Sequence, residues 1–239
     1  TANQRLYIGT FQYGLYCYSS GRLEAVGTDM LVNDSQRIIT DLIPWRDGLI
    51  IVSQDGLFLL NLDTQQLSPL FSDPDLREQA GGIIRSVFLD TENRLWLAPA
   101  NKEVICVRMD DQVVEEIPLV RDRIGKKPVL SIAGDGRGYI YFAVMGVGLL
   151  AYDPLDGFRA CYNQEQGQLL TNDSFRVLVT PMGRLLVTSS RGITLLDMKT
   201  GKGVHTLLGI SSPLHRLNAN CGVYLSPVDS MIFIGGGEG

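Results

Sequence analysis

One short apolar phrase is written six times along the chain: Leu6 to Thr10 (LYIGT), Leu49 to Ser53 (LIIVS), Leu95 to Pro99 (LWLAP), Ile140 to Val144 (IYFAV), Leu185 to Ser189 (LLVTS) and Ile232 to Gly236 (IFIGG). Successive copies begin 43, 46, 45, 45 and 47 positions apart. A period near 45 residues is the length of one four-stranded propeller blade, so residues 1–239 read as one repeat array of about five units. Each copy is five residues long, β-branched or aromatic, and preceded by a turn signal, which marks a strand.

The columns of the phrase say how that strand is buried. The first is Leu or Ile throughout, and the third is Ile8, Ile51, Leu97, Phe142, Val187 and Ile234. The second, on the opposite face, is Tyr7, Ile50, Trp96, Tyr141, Leu186 and Phe233. A strand apolar on both faces lies between two layers, as in a blade sandwiched by its neighbours. The fourth column stays small, as close approach of blades requires: Gly9, Val52, Ala98, Ala143, Thr188 and Gly235.

The rest of each unit follows in order. A turn ends at Gly14, Gly56, Gly148 or Gly192, with Glu103 in that place in the third unit, and a third strand follows. Asn61, Asp153 and Asp197 mark the next turn, before a weaker rim strand. Longer connections, including 72–82, 120–127, 163–172 and 209–220, are expected to be surface loops on which nothing packs. Each leads into an inner strand: 37–43, 83–89, 129–133, 175–179 or 222–225. Asp90 and Asp135 then make the tight turn back to the phrase by accepting local backbone N–H bonds. The predicted fold is all-β, a propeller of four-stranded antiparallel blades. A sixth copy of the phrase has no place in a five-bladed ring, so the chain is expected to be part of a larger one.

SVFLDTENRLWLA (residues 86–98) and LYIGTFQYGLYCY (6–18) resemble the two-component regulator propeller repeat of hybrid histidine kinases of Bacteroides-type bacteria. The Asp of that repeat stands at 90 and 135, while Pro44, Thr180 and Pro227 replace it elsewhere. The resemblance implies a periplasmic sensor region built of paired propellers, followed by an immunoglobulin-like domain, a membrane helix and a kinase. It also implies a carbohydrate-derived ligand and a homodimer that contacts other blades and a following β-domain.

Composition narrows the partners. The net charge is −5 with no run of Lys and Arg, which argues against nucleic acid and anionic membranes. Apolar runs stop short of the roughly 20 residues that span a bilayer. Cys17 and Cys106 fall in a core column with Leu59, Ala151 and Leu195, and neither Cys161 nor Cys221 has metal spacing, so free thiols are expected. His205 and His215 are read as solvated, and Asp41, Asn172 and Asp173 as turn caps in place of axial metal ligands. The stretch Arg121 to Lys127 is read as a solvated loop, and the glycines of IGGGEG as a blade turn.

No catalytic residue, cofactor or metal is therefore assigned. The candidate ligand site is the face where the turns after the phrase meet the long connections. It would use Phe11 and Tyr13 to stack on a sugar, with Asn101, Lys102 and Arg191 hydrogen-bonding its hydroxyls. Two other readings stay open: a lyase or lactonase-like hydrolase with an axial metal, and a protein-interaction scaffold.

Overall fold

The computed structural model describes residues 5–207, 223–226 and 231–234. His215, Cys221, the 209–220 connection and the 235–239 turn lie outside the described residues. Among the described residues blade 1 has three strands, β1 (Leu6–Gly9), β2 (Leu15–Ser19) and β3 (Arg22–Val26). Blade 2 is β4 (Ile39–Trp45), β5 (Gly48–Ser53), β6 (Gly56–Asn61) and β7 (Leu67–Pro69), followed by helix α1 (Pro74–Ala80). Blade 3 is β8 (Ile84–Leu89), β9 (Arg94–Pro99), β10 (Ile105–Arg108) and β11 (Val113–Glu115), followed by helix α2 (Pro118–Ile124).

Blade 4 is β12 (Val129–Gly134), β13 (Ile140–Val144), β14 (Gly148–Asp153) and β15 (Gly157–Tyr162). Blade 5 is β16 (Ser174–Val179), β17 (Arg184–Ser189), β18 (Gly192–Asp197) and β19 (Gly203–Leu207), and β20 (Val223–Leu225) pairs with β21 (Ile232–Ile234). Every sheet is an antiparallel meander, and none closes on itself. The repeated phrase is the second strand of blades 2 to 5, as its two apolar faces demand.

The faces sort by column. Leu95 and Leu97 cluster with Ile50 and Val52 of the blade before, while Trp96 and Ala98 cluster with Ile140 and Phe142 of the blade after. The same division recurs between blades 1 and 2 and between blades 4 and 5. Columns one and three therefore face backward and columns two and four forward. Each buried Leu or Ile here contributes about 1.5–3 kcal/mol. The small fourth column is steric: a methyl group on Gly9 would lie 2.9 Å from Ile39 Cβ.

The first strands carry the contacts between successive sheets, β8 with β12 and β12 with β16, so they converge on the axis. All four contain a bulge at the same place, directly before Asp41, Ser86, Ser131 and Arg176, which stand 45 residues apart. The two serines join the blades. Ser86 Oγ accepts the Ile132 N–H at 2.9 Å and Ser131 Oγ accepts the Val177 N–H at 3.1 Å. Each pairs an amide on the axis-facing edge that no neighbouring strand could reach.

The turn residues act as read. Asp90 Oδ1 accepts the Glu92 and Arg94 N–H groups at 2.9 Å, and Asp135 Oδ1 accepts those of Arg137 and Tyr139 at 2.8 and 3.1 Å. Asp90 goes further, because its other oxygen takes Arg94 Nε at 2.7 Å and Trp96 Nε1 at 2.9 Å inside the core. Thr180 Oγ1 makes the equivalent turn through Arg184, whereas Pro44 lies within β4 and a two-residue turn at Arg46 and Asp47 replaces the wider one. Asn61, Asp153 and Asp197 each accept backbone N–H bonds in the following turn.

One expectation is overturned. The long connections among the described residues are packed, because each inserts apolar side chains between two blades: Leu31, Leu76 with Ala80, Val120 with Ile124, and Leu169. Two of them are helical for local reasons. Asp73 caps α1 by accepting the Asp75 N–H, and Pro74 and Pro118 stand at the first helical positions, where no N–H is needed. The Arg121 to Lys127 stretch thus begins inside α2, whose Ile124 is buried.

Candidate functional site

The turn after the phrase is built by its fifth residue. Thr10 Oγ1 donates to Gly14 O at 2.8 Å and accepts the Tyr13 N–H at 2.9 Å. Ser53 does the same with Gly56 O and the Asp55 N–H, and Ser189 with Gly192 O and the Arg191 N–H. Blade 3 lacks both parts of this device, since Pro99 replaces the hydroxyl and Glu103 the glycine. Its turn instead passes through Asn101 at a φ of +63°, and β10 begins only at Ile105.

The outer hairpin of blade 3 is splayed as a result. Its pairing ends at Cys106 opposite Glu115, whereas blade 2 pairs Phe58 with Pro69 and adds a Leu70 N–H to Leu57 O bond at 2.9 Å. Blades 1, 4 and 5 zip their outer strands to Leu15, Leu149 and Gly192. Cavities occupy this notch in blades 1, 2 and 3, with volumes of about 250, 280 and 830 Å³. The large one is the opened hairpin.

Its floor is apolar, formed by Leu76, Val104, Ile105, Val114 and Ile117. Its rim brings together α1, the 101–103 turn and the start of α2, with Asp75, Glu78, Gln79, Asn101, Glu103 and Glu116 among the lining groups. Lys102 is already engaged: its Nζ donates to the carbonyls of Glu78, Gln79 and Gly81 at 3.0–3.3 Å and so terminates α1. Gln112 ties the far wall down by accepting from Ser72 N and Oγ and donating to Leu70 O. Arg108 holds Asp111 at 2.8 Å and Glu115 at 3.0 Å, and it keeps the exposed Asp111 carboxyl below its ordinary pKa. An apolar floor under a rim of amides, carboxylates and the Arg121 and Lys126 cations suits a polyhydroxylated molecule, whose C–H face packs while its hydroxyls bond to the rim.

Of the residues expected at the site, Asn101 and Lys102 line this groove and Tyr13 lines the smaller cavity of blade 1. Phe11 and Tyr13 are both 71% exposed on blade 1, and Arg191 lies in the turn of blade 5. The structure therefore divides these residues among three blades. The contribution of α1 was missed, although Asp73–Pro74 and the Leu76/Ala80 spacing signal a capped helix with one buried stripe.

The other candidates have local roles. Asp173 accepts the Gly146 N–H at 3.0 Å, Asn172 the Gln164 N–H at 2.8 Å and Asp41 the Leu42 N–H at 2.9 Å. Water reaches Asp41, yet surrounding protein pushes its carboxyl pKa up, against the pull of the Leu42 N–H and the Arg176 charge. His205 shares a 3.0 Å hydrogen bond with Thr194 on the rim. Cys17, Cys106 and Cys161 are free thiols, and burial pushes Cys106 up to about 12. Among the described residues no group of three or more His, Cys, Asp or Glu side chains is placed to hold a metal ion, and no helix is long and apolar enough to cross a membrane.

No protein-family model matches the chain, and no curated protein sequence matches it. Solved structures do. The WD40 β-propeller domain of Doa1 aligns over 98% of this chain and 72% of its own, at a TM-score of 0.67 and 13% identity. The fold is that of a β-propeller. Two extracellular domains of hybrid two-component systems from B. thetaiotaomicron also align over 98% of the propeller chain, with TM-scores of 0.71 and 0.67 at 19% and 13% identity. The chain spans about a third of their length, 30% and 32% respectively.

Proposed function

We propose that this propeller is a non-enzymatic sensing module from the periplasmic region of a hybrid two-component regulator, and that it responds to carbohydrate-derived ligands. The observation that carries the reading is the groove of blade 3, where one unit of an otherwise regular array has opened an 830 Å³ site with an apolar floor and a hydrogen-bonding rim. The alignment of nearly the whole chain with extracellular domains of two-component systems supports the setting. The protein would act as a homodimer whose propeller contacts other blades and a following β-domain. Ligand in the groove would favour one of two packings by a few kcal/mol and pass the change to a kinase.

The test is a panel of oligosaccharides added to the complete periplasmic region while its thermal unfolding is followed. A ligand at a hundred times its Kd stabilises by about 2.7 kcal/mol, a shift of several degrees. Glu103→Ala together with Glu116→Ala should abolish that shift while leaving the ligand-free melting temperature within about two degrees, since Glu116 is exposed and Glu103 partly so. A panel without effect rejects the carbohydrate reading in favour of a protein-interaction scaffold. Stoichiometric metal together with turnover of a lactone or polysaccharide would reject the non-enzymatic one.

A further inference from the structure

The notch of blade 2 differs from its neighbours in chemistry as well as in size. Its cavity of about 280 Å³ opens between the connection that leaves blade 1 and helix α1. The floor is apolar and firmly packed: Leu57, Phe58 and Phe71 are at most 7% exposed, and Met30 lines it as well. Two ionic side chains of opposite sign stand over this floor, Asp55 from the turn between β5 and β6 and Arg77 from α1. Among the described residues they form no ion pair, with each other or with any third group. The one side-chain hydrogen bond to either is long, 3.5 Å from Asn33 Nδ2 to Asp55 Oδ2. In the notch of blade 1, by contrast, the ionic side chain is Arg37, whose Nε already donates to Leu31 O at 3.1 Å.

An unengaged cation and an unengaged anion over one apolar floor call for a molecule that carries both charges and a hydrocarbon side chain. A neutral sugar carries neither charge, and a simple fatty or aryl acid would satisfy Arg77 while setting nothing against Asp55. The volume falls just under the roughly 300–1,000 Å³ of drug-sized sites, which limits the occupant to about the size of one amino acid. Gln36 adds a further cue. Its Oε1 accepts the Val32 and Asn33 N–H groups at 3.2 and 3.3 Å, so what it has left to offer the cavity is its amide N–H, a donor suited to a carboxylate. We infer that the notch of blade 2 is a binding site for a free apolar α-amino acid. The carboxylate lies against Arg77 and Gln36, the ammonium against Asp55, and the side chain on Leu57, Phe58 and Phe71. The backbones that carry the two charges are fixed beforehand, Asp55 by a turn in which its N–H donates to Ser53 Oγ at 3.2 Å and Arg77 by a helix clamped through Lys102. This cavity shares no lining residue with the groove of blade 3, and the inference does not rest on the carbohydrate reading.

Isothermal titration and thermal unfolding with L-leucine and L-phenylalanine test this, on the same protein that meets the oligosaccharide panel. Both amino acids should bind, and N-acetyl-L-leucine and L-leucinamide, which each lack one of the two charges, should bind at least about tenfold more weakly. Arg77→Gln and Asp55→Asn should each weaken L-leucine by a similar factor. Both should leave the ligand-free melting temperature within about two degrees, because both side chains are exposed. Glu103→Ala together with Glu116→Ala should leave leucine binding unchanged, which separates this site from the response to oligosaccharides. The inference is overturned if neither amino acid binds at millimolar concentration, or if N-acetyl-L-leucine binds as tightly as L-leucine. It is overturned equally by a leucine-containing dipeptide that binds more tightly than the free amino acid, or by Arg77→Gln and Asp55→Asn proteins that bind leucine as the native one does.

Discussion

Strands β1 and β9 share one sequence pattern, LYIGT and LWLAP, and meet two different environments. Residues 95–99 of β9 are wholly buried, with Trp96 set edge-on to Phe142 at 5.7 Å, whereas Leu6 and Ile8 of β1 face water. The phrase therefore encodes a strand able to be buried on both faces, and the neighbour decides whether it is. Stability in a repeat protein is divided between units and the joints between them, and among the described residues blade 1 has fewer joints.

Four substitutions sharpen that contrast. Asp90→Ala should have the largest effect, about 3–5 kcal/mol in chemical denaturation, because it strands Arg94 and the Trp96 N–H inside blade 3. Leu97→Ala should cost about 2–5 kcal/mol by leaving a cavity between blades 2 and 3, whereas Ile8→Ala, the same column in blade 1, should cost less than about 1 kcal/mol. Equal costs at 97 and 8 would mean that β1 is covered in solution. Ser86→Ala should cost about 1–3 kcal/mol, since the Ile132 amide loses its acceptor.

The smallest effect concerns pH. Buried Cys106 keeps its proton up to about 12 in the fold and ionises near 9.0 when unfolded. Its contribution is therefore complete below pH 9.0 and is lost as the pH climbs from there toward 12. Cys106→Ala should fall off less steeply than the native protein over that window when both are melted side by side. The native thiol should also resist iodoacetamide at pH 8 until unfolding, because the thiolate is the reactive form.

The architecture was legible because propeller packing writes itself into side chains: both faces of one strand must be apolar, the fourth column must be small, and the turn residues need oxygen acceptors. Cys17 and Cys106 could be assigned to a core column on that basis alone. The packed connections escaped because their apolar residues occur once per unit and at no fixed offset, as with Leu31, Leu76, Val120 and Leu169. The serine bridges escaped for another reason. Ser86 and Ser131 share their column with Asp41 and Arg176, so the 45-residue spacing hides behind three different chemistries. At the site, Pro99 and Glu103 were visible as departures from the repeat. That they unzip the outer hairpin depends on which backbone pairs a neighbouring strand keeps, and no single column records this.

Helix α1 has a double position. Leu76 and Ala80 sit in the seam between blades 2 and 3, and Asp75, Glu78 and Gln79 of the same seven residues stand on the rim of the groove. With its carboxyl end clamped by Lys102, the helix is one fixed piece shared by the groove and the seam. If the proposed sensing role holds, a molecule bound on the exposed side of the helix would push on the seam at its other side, and occupancy of one unit would be felt at the boundary of two.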